Sequence, residues 1–174
     1  MHPASLEQMK KAKALIVDKL PAAPIVLDVG GRNNSEKERS YKELWPEAEK
    51  YWVADLEDGP NVHVVMMGPY RMGFMDDGFD LIVSGQTLEH VANPFKLVRE
   101  MKRVLKPGGY MILIAPSAGY AHTDQDCWRF MRDAFKAIAD DVGMETVADW
   151  IYTGDSGGGR KRVWDDHVWI GRKP

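Results

Sequence analysis

The chain has 174 residues, long enough for one domain with a real core and not for two. Lys and Arg number 23 against 26 Asp and Glu, a net charge of −3, which disfavours non-specific attachment to nucleic acid or to acidic membranes and favours a small-molecule substrate. The single cysteine, Cys127, excludes an intrachain disulfide framework, and no apolar run approaches the ~18 residues of a membrane span, so a cytoplasmic protein is expected.

Ser5 to Lys19 reads as an amphipathic helix. Ser5 and Gln8 have capping-box spacing, and Leu6, Met9, Leu15 and Ile16 share a face opposite the lysines. Pro21 and Pro24 end it. Ile25, Val26, Leu27 and Val29 form the apolar run of a parallel strand covered on both faces, interrupted by Asp28 and stopped by Gly30-Gly31. Asn33, Asn34 and Ser35 offer N-cap chemistry for a helix through about Leu44, closed by Trp45-Pro46. Tyr51 to Asp55 reads as a second strand and Val62 to Met66 as a third. A linker follows, and Phe79 to Ser84 is a fourth strand. Pro94 to Leu105 is a strongly amphipathic helix, stopped by the turn Lys106-Pro107-Gly108-Gly109. Tyr110 to Ala115 is a fifth strand. Phe130 to Val142 reads as a helix with Gly143 at its stop. Glu145 to Tyr152 and Val163 to Ile170 read as strands joined by a glycine-rich loop with no room for a helix, so they pair as an antiparallel hairpin.

Alternating strands and helices predict an α/β fold with a mainly parallel sheet. The whole chain, 1–174, reads as a single domain: an N-terminal helical segment, 1–23, and a core, 24–174. The strand-to-glycine-loop corner at Asp28, Gly30 and Gly31 is the generic place for a nucleotide-like ligand in such a sheet. Asp55 ends the next strand, where a carboxylate can accept hydrogen bonds from ribose hydroxyls. The loop reads Gly-Gly-Arg-Asn-Asn-Ser and so fails the G-x-G-x-x-G dinucleotide fingerprint, although Arg32 could supplement it toward an anion.

The run from Phe79 to Ser84, then Leu88-Glu89-His90-Val91, Asn93-Pro94 and Arg103 to Gly109, carries a resemblance. It is similar to the class I S-adenosylmethionine-dependent methyltransferases of the broad methyltransferase-11 type, over about Pro24 to Gly171. The resemblance implies a Rossmann-like fold with seven strands in the order 3-2-1-4-5-7-6, the last antiparallel, and helices on both faces. It implies that Asp28, Gly30 and Gly31 lie against the methionine portion of S-adenosylmethionine. Asp55 would take the ribose hydroxyls and Leu56 would pack on the adenine. The usual carboxylate after the third strand is missing. A backbone carbonyl, or stacking by Met67 or Tyr70, would have to substitute, although core packing is the simpler account of Met66 and Met67. Ser84, Gly85 and Gln86 would line the cofactor near the transferred methyl.

Asp126-Cys127-Trp128-Arg129-Phe130 resembles a run in methyltransferases of sugar, lipopolysaccharide or secondary-metabolite pathways. O-methylation of a small polar molecule, a sugar or a natural product, is the favoured expectation, since the chain has little beyond the core fold to build a large substrate domain. His90 or His122 would serve as general base, with Glu89 beside them. Glu89, His90 and His122 also form an acceptable set for a divalent cation. Some relatives that use a metal look similar here, with Glu where this chain has Gln86. Trp128 and Arg129 either shape the pocket or are structural, Arg160-Lys161-Arg162 either binds an anionic substrate or is a solvated hairpin tip, and Cys127 reads as an ordinary small residue. Two alternatives stand beside the enzyme: an inactive S-adenosylmethionine-binding module, and a nicotinamide-dependent oxidoreductase with a parallel seventh strand.

Overall fold

The computed structural model describes residues 3–35, 39–153 and 164–174. Its elements, in chain order, are α1 (Pro3–Ile16), β1 (Ile25–Val29), β2 (Lys50–Asp55), β3 (Val64–Val65), β4 (Phe79–Gly85), α2 (Pro94–Val104), β5 (Leu105–Ala118), α3 (Ala134–Val142), β6 (Glu145–Tyr152) and β7 (Asp165–Arg172). The seven strands form one sheet in the order β3-β2-β1-β4-β5-β7-β6. The pairs from β3 through β5 are parallel, while β7 runs antiparallel to both β5 and β6. The nicotinamide alternative expected a parallel seventh strand, and β7 runs the other way.

The continuous apolar strands bury both faces because successive side chains point to opposite sides. Val26, Leu81, Val83, Ile112 and Ile114 meet α1 through Leu6, Met9, Ala12 and Ile16. Leu27, Ile82, Met111 and Leu113 meet α2 and α3 through Leu97, Val98, Met101, Phe135 and Ile138. α2 starts where Asn93 accepts from the Lys96 amide and Pro94 occupies the first turn, and α3 stops at Gly143 in the left-handed region, φ 68°.

Six expectations change. Ser5 and Gln8 do not cap α1, which is already helical at Pro3. Both lie on its inner face, where the Ser5 hydroxyl pairs with the Tyr41 hydroxyl at 2.5 Å and Gln8 accepts from Trp150 Nε1 at 2.8 Å. Leu15 is exposed, and Ala12 takes its place in the packed stripe. Among the described residues, the helix expected over 33–44 is only a 3-10 turn at Tyr41–Leu44, with residues 36–38 outside the description. The Asn33 amide donates to the Asn61 side chain at 2.7 Å, and that side chain donates to the Gly31 carbonyl, so tertiary bonds tie this stretch of backbone down. The true capping box is Ser40 with Glu43. The third strand shrinks to Val64–Val65 because the His63 ring accepts the Val53 amide at 3.1 Å, a bond a longer ladder would have used. The Lys106 to Gly109 turn lies inside β5, as an irregularity opposite Phe79 and Leu81 with Gly108 at φ 78°. Finally, α3 starts at Ala134, because the Phe130 amide donates to the Pro116 carbonyl instead of entering the helix.

Candidate active site

The C-terminal ends of β1 and β4 and the start of β7 open into a cavity of about 510 Å³. Gly30, Gly31, Arg32, Gly85, Gln86, His90 and His122 line it, and so do Tyr41, Trp164 and Asp166, which the sequence reading did not single out.

Close packing explains the glycines. Gly30 sits at φ 74°, and a Cβ there would lie 2.3 Å from the Thr87 side chain; at Gly31 a Cβ would lie 2.5 Å from the Asp28 carboxyl. Gly85 has the Tyr41 hydroxyl 2.0 Å from where its Cβ would stand. Tyr41 could have been flagged only with the fold in hand, because its partners Ser5 and Gly85 are far away in sequence.

Asp28 is buried. Its Oδ2 accepts from the Tyr51 hydroxyl at 2.8 Å, and its Oδ1 has no partner among the described residues. Burial pushes the carboxyl up to about 7; the Tyr51 bond opposes this and the nearby Asp55 charge adds to it. Asp55 accepts from the Arg32 amide and from the Glu57 amide, both at 3.2 Å. The Arg32 guanidinium reaches the Asp58 carbonyl, Asn34 and Glu57.

Of the expected cofactor residues, Asp28, Asp55, Leu56, Met67 and Ser84 fall outside the cavity lining. Leu56 and Met67 are exposed, while Met66 is buried in the core, so the packing account fits one methionine and not the other. Ser84 is buried and its hydroxyl donates to the Val29 carbonyl at 2.8 Å, tying β4 to β1. Gln86 lines the cavity from a left-handed backbone, φ 58°, a conformation costly for a side-chain-bearing residue. Its amide side chain donates to Asp166 at 2.9 Å.

Glu89, His90 and His122 come together. One donor atom from each lies within 4.8 Å of the other two. Glu89 is fully buried, neither carboxylate oxygen has a hydrogen-bond partner among the described residues, and burial pushes it up to about 8. The His90 and His122 ring centroids are 5.0 Å apart, with Trp164 5.1 Å beyond His122. His90 Nδ1 lies 2.6 Å from the Gln125 carbonyl, and His122 Nδ1 lies 2.7 Å from Asp126 Oδ2. The Arg129 guanidinium clamps Asp126 with two nitrogens and holds its carboxyl well below the usual range. Arg129 also reaches the Gly119 and Tyr120 carbonyls, and Trp128 Nε1 donates to the Val91 carbonyl. Trp128 and Arg129 therefore brace the loop beneath the site. Cys127 is exposed, and its amide donates to the Glu89 carbonyl. Arg160-Lys161-Arg162 lies outside the described residues.

The residues present fit two kinds of group. Glycine space, the partnerless Asp28 oxygen and Asp55 suit a ligand with an ammonium and a ribose. A buried carboxylate without donors, beside two imidazoles, suits a divalent cation.

A seven-stranded sheet in this order, with an antiparallel seventh strand and a cavity at the strand ends beside a glycine loop, is the architecture of the class I S-adenosylmethionine-dependent methyltransferases. Comparison with known proteins agrees. Residues 41–113 match the family model described as a methyltransferase domain. The C-methyltransferase UbiE of ubiquinone and menaquinone biosynthesis from Vibrio vulnificus is 41% identical over 54 residues, which is 31% of this chain and 21% of that protein. The biotin biosynthesis bifunctional protein BioHC of Teredinibacter turnerae is 29% identical over 86 residues, 43% of this chain and 15% of that one. The chain thus covers about a fifth or less of the length of these two relatives. The crystal structure of Burkholderia thailandensis 1,6-didemethyltoxoflavin-N1-methyltransferase, with S-adenosylhomocysteine bound, superposes with a TM-score of 0.75 at 13% identity, covering 98% of this chain and 78% of that one. The chain thus has the fold of the class I S-adenosylmethionine-dependent methyltransferases, and residues 41–113 of it match the methyltransferase domain model.

Proposed function

We propose that this protein methylates a hydroxyl oxygen of a small polar acceptor, such as a sugar or a natural product, as a single-domain cytoplasmic enzyme. The observation that supports this best is the pair of imidazoles lining the same cavity as Gly30, Gly31 and Gly85. S-adenosylmethionine, when bound, would supply a sulfonium methyl for in-line transfer to the acceptor oxygen, the S–CH3 bond breaking and the neutral thioether of S-adenosylhomocysteine leaving. The chain's own work is to hold the acceptor and take its proton. Gly30 and Gly31 leave room for the methionine portion beside Asp28, and Asp55 offers carboxylate oxygens at the end of β2. Arg32 and Gln86 border the same space, and Leu56 and Met67 stand outside the cavity lining. Fixing the acceptor oxygen against the methyl removes much of the entropic barrier of a two-body reaction. The hydroxyl proton passes to the Nε2 atom of His90 or His122, whose Nδ1 atoms are already engaged.

Glu89, His90 and His122 would hold a divalent cation, and a cation there would lower the pKa of the acceptor hydroxyl. The observation favouring this second reading is the buried carboxylate with two partnerless oxygens next to the two rings. Calorimetry with S-adenosylhomocysteine tests the cofactor site, and no heat at millimolar ligand refutes it. Incubation with S-adenosylmethionine and a panel of sugars, polyols and phenols, read by mass spectrometry, tests the acceptor. Methylation confined to nitrogen or carbon acceptors overturns the hydroxyl reading, and binding without any turnover supports the inactive module instead.

A further inference from the structure

The segment from Gln125 to Arg129 touches both imidazoles from behind, and the chemistry of those contacts is directional. A backbone carbonyl can only accept, so the Gln125 oxygen at 2.6 Å requires a proton on His90 Nδ1. An ionised carboxylate also only accepts, so Asp126 Oδ2 at 2.7 Å requires a proton on His122 Nδ1. Asp126 is kept ionised and immobile by the two-pronged Arg129 clamp and by the His122 amide, which donates to it at 3.0 Å. A neutral imidazole carries one proton, so each ring is left with an unprotonated Nε2. His90 Nε2 lies 3.7 Å from Glu89 Oε1.

We propose that Gln125, Asp126 and Arg129 are positioning residues that preset both histidine tautomers, so that two bare Nε2 atoms and the Glu89 carboxylate converge on a borderline divalent cation of the kind that prefers imidazole. This rests on the cation reading of the site. Two imidazoles and one carboxylate with further positions open is a recognised donor set for first-row divalent metals, and outer groups of this kind raise affinity by orienting the ligands. The Asp-Cys-Trp-Arg run thereby gains a physical role: Asp126 aims His122, Arg129 holds Asp126, and Trp128 pins the loop to Val91.

The test uses the whole chain, with cobalt(II) as probe and Asp126→Asn as the main variant. An Asn retains the shape but can turn an amide N–H toward the ring, which selects the opposite tautomer. Long-range nitrogen–proton NMR of the histidine rings, well above the ordinary imidazole pKa of ~6.5, reads the tautomers directly. The wild type should show Nδ1–H on both rings. Asp126→Asn should move His122 to Nε2–H, leave His90 unchanged, and weaken cobalt binding by calorimetry about 10- to 100-fold. Asp126→Glu should restore the tautomer and part of the affinity. If Asp126→Asn does not fold, Arg129→Lys serves, with a smaller loss of affinity and a mixed His122 tautomer. Nε2–H on wild-type His122, or equal cobalt affinity in wild type and the Asp126 variant, overturns the positioning role while leaving the cation reading intact. No cobalt binding by the wild type, or equal binding by Glu89→Gln, overturns the cation reading and the proposal with it. The S-adenosylhomocysteine titration stands apart from all of these, so a failed methyltransferase reading is recognisable on its own.

Discussion

Replacing Asp28 with Asn isolates the largest electrostatic strain beside the glycine loop. The carboxyl is almost wholly out of water, one oxygen has only the Tyr51 hydroxyl, and burial moves its pKa from 3.8 to about 7. The folded protein therefore keeps a proton that the unfolded chain releases above 3.8. Stability from this group is full below 3.8, falls as pH rises toward about 7, and is level beyond. The step from 3.8 to about 7, at 1.36 kcal/mol per pH unit, amounts to about 4 kcal/mol. Asn cannot ionise, so the difference in unfolding free energy between wild type and variant should change by about that amount across the same window and be flat on either side. Urea unfolding followed by tryptophan fluorescence, at pH values spanning the window, measures it. The same replacement speaks to function. If Asp28 faces the ammonium of the methionine portion, wild-type affinity for S-adenosylhomocysteine rises with pH up to about 7 with release of a proton, and the variant shows no such slope. Parallel stability curves for the two proteins would refute the reasoning.

Three further outcomes are expected. Gly85→Ala places a Cβ 2.0 Å from the Tyr41 hydroxyl, so Tyr41 must swing away from Ser5; the cost should be about 1–3 kcal/mol in thermal unfolding, with weaker binding of S-adenosylhomocysteine by calorimetry. Glu89→Gln removes a group that holds its proton from the ordinary 4.5 up to about 8, so the loss of wild-type stability as pH rises through that window should flatten in the variant, as chemical denaturation will show. Ser40→Ala breaks the capping box before Tyr41–Leu44 and should cost about 0.5–2 kcal/mol by the same measurement, without changing cobalt affinity.

The mainly parallel sheet was legible in the sequence because it rests on burial, whereas the strand order came only with the family resemblance. Ile25 to Val29, Phe79 to Ser84 and Tyr110 to Ala115 are apolar on both faces, and only a central parallel position uses such strands. The sequence offers no helical pattern between Glu145–Tyr152 and Val163–Ile170, which predicted the antiparallel return seen between β6 and β7. What the sequence hid were local signals overruled at long range. Ser5 and Gln8 have cap spacing, yet their partners are Tyr41 and Trp150, which come near only after the sheet has formed. Asn33 has the residue type of a helix cap, yet its backbone amide is bound by the side chain of Asn61, 28 positions on.

The cavity shows the same division more sharply. Gly30, Gly31, Glu89 and His90 were readable because each adjoins a strand end, where the chain must turn and ligands gather. His122 was readable as a candidate for the same reason, following β5. Asp126 and Arg129 were not, because nothing in a four-residue run says which neighbour a carboxylate will aim. Their role emerges only from the order of contacts: Arg129 fixes Asp126, Asp126 fixes one nitrogen of His122, and the other nitrogen is thereby left open. A chain of single-direction hydrogen bonds like this specifies a protonation pattern as firmly as packing specifies a rotamer. The buried Glu89, left without donors where those open nitrogens converge, would be a standing cost to the fold if no cationic ligand or proton relieved it.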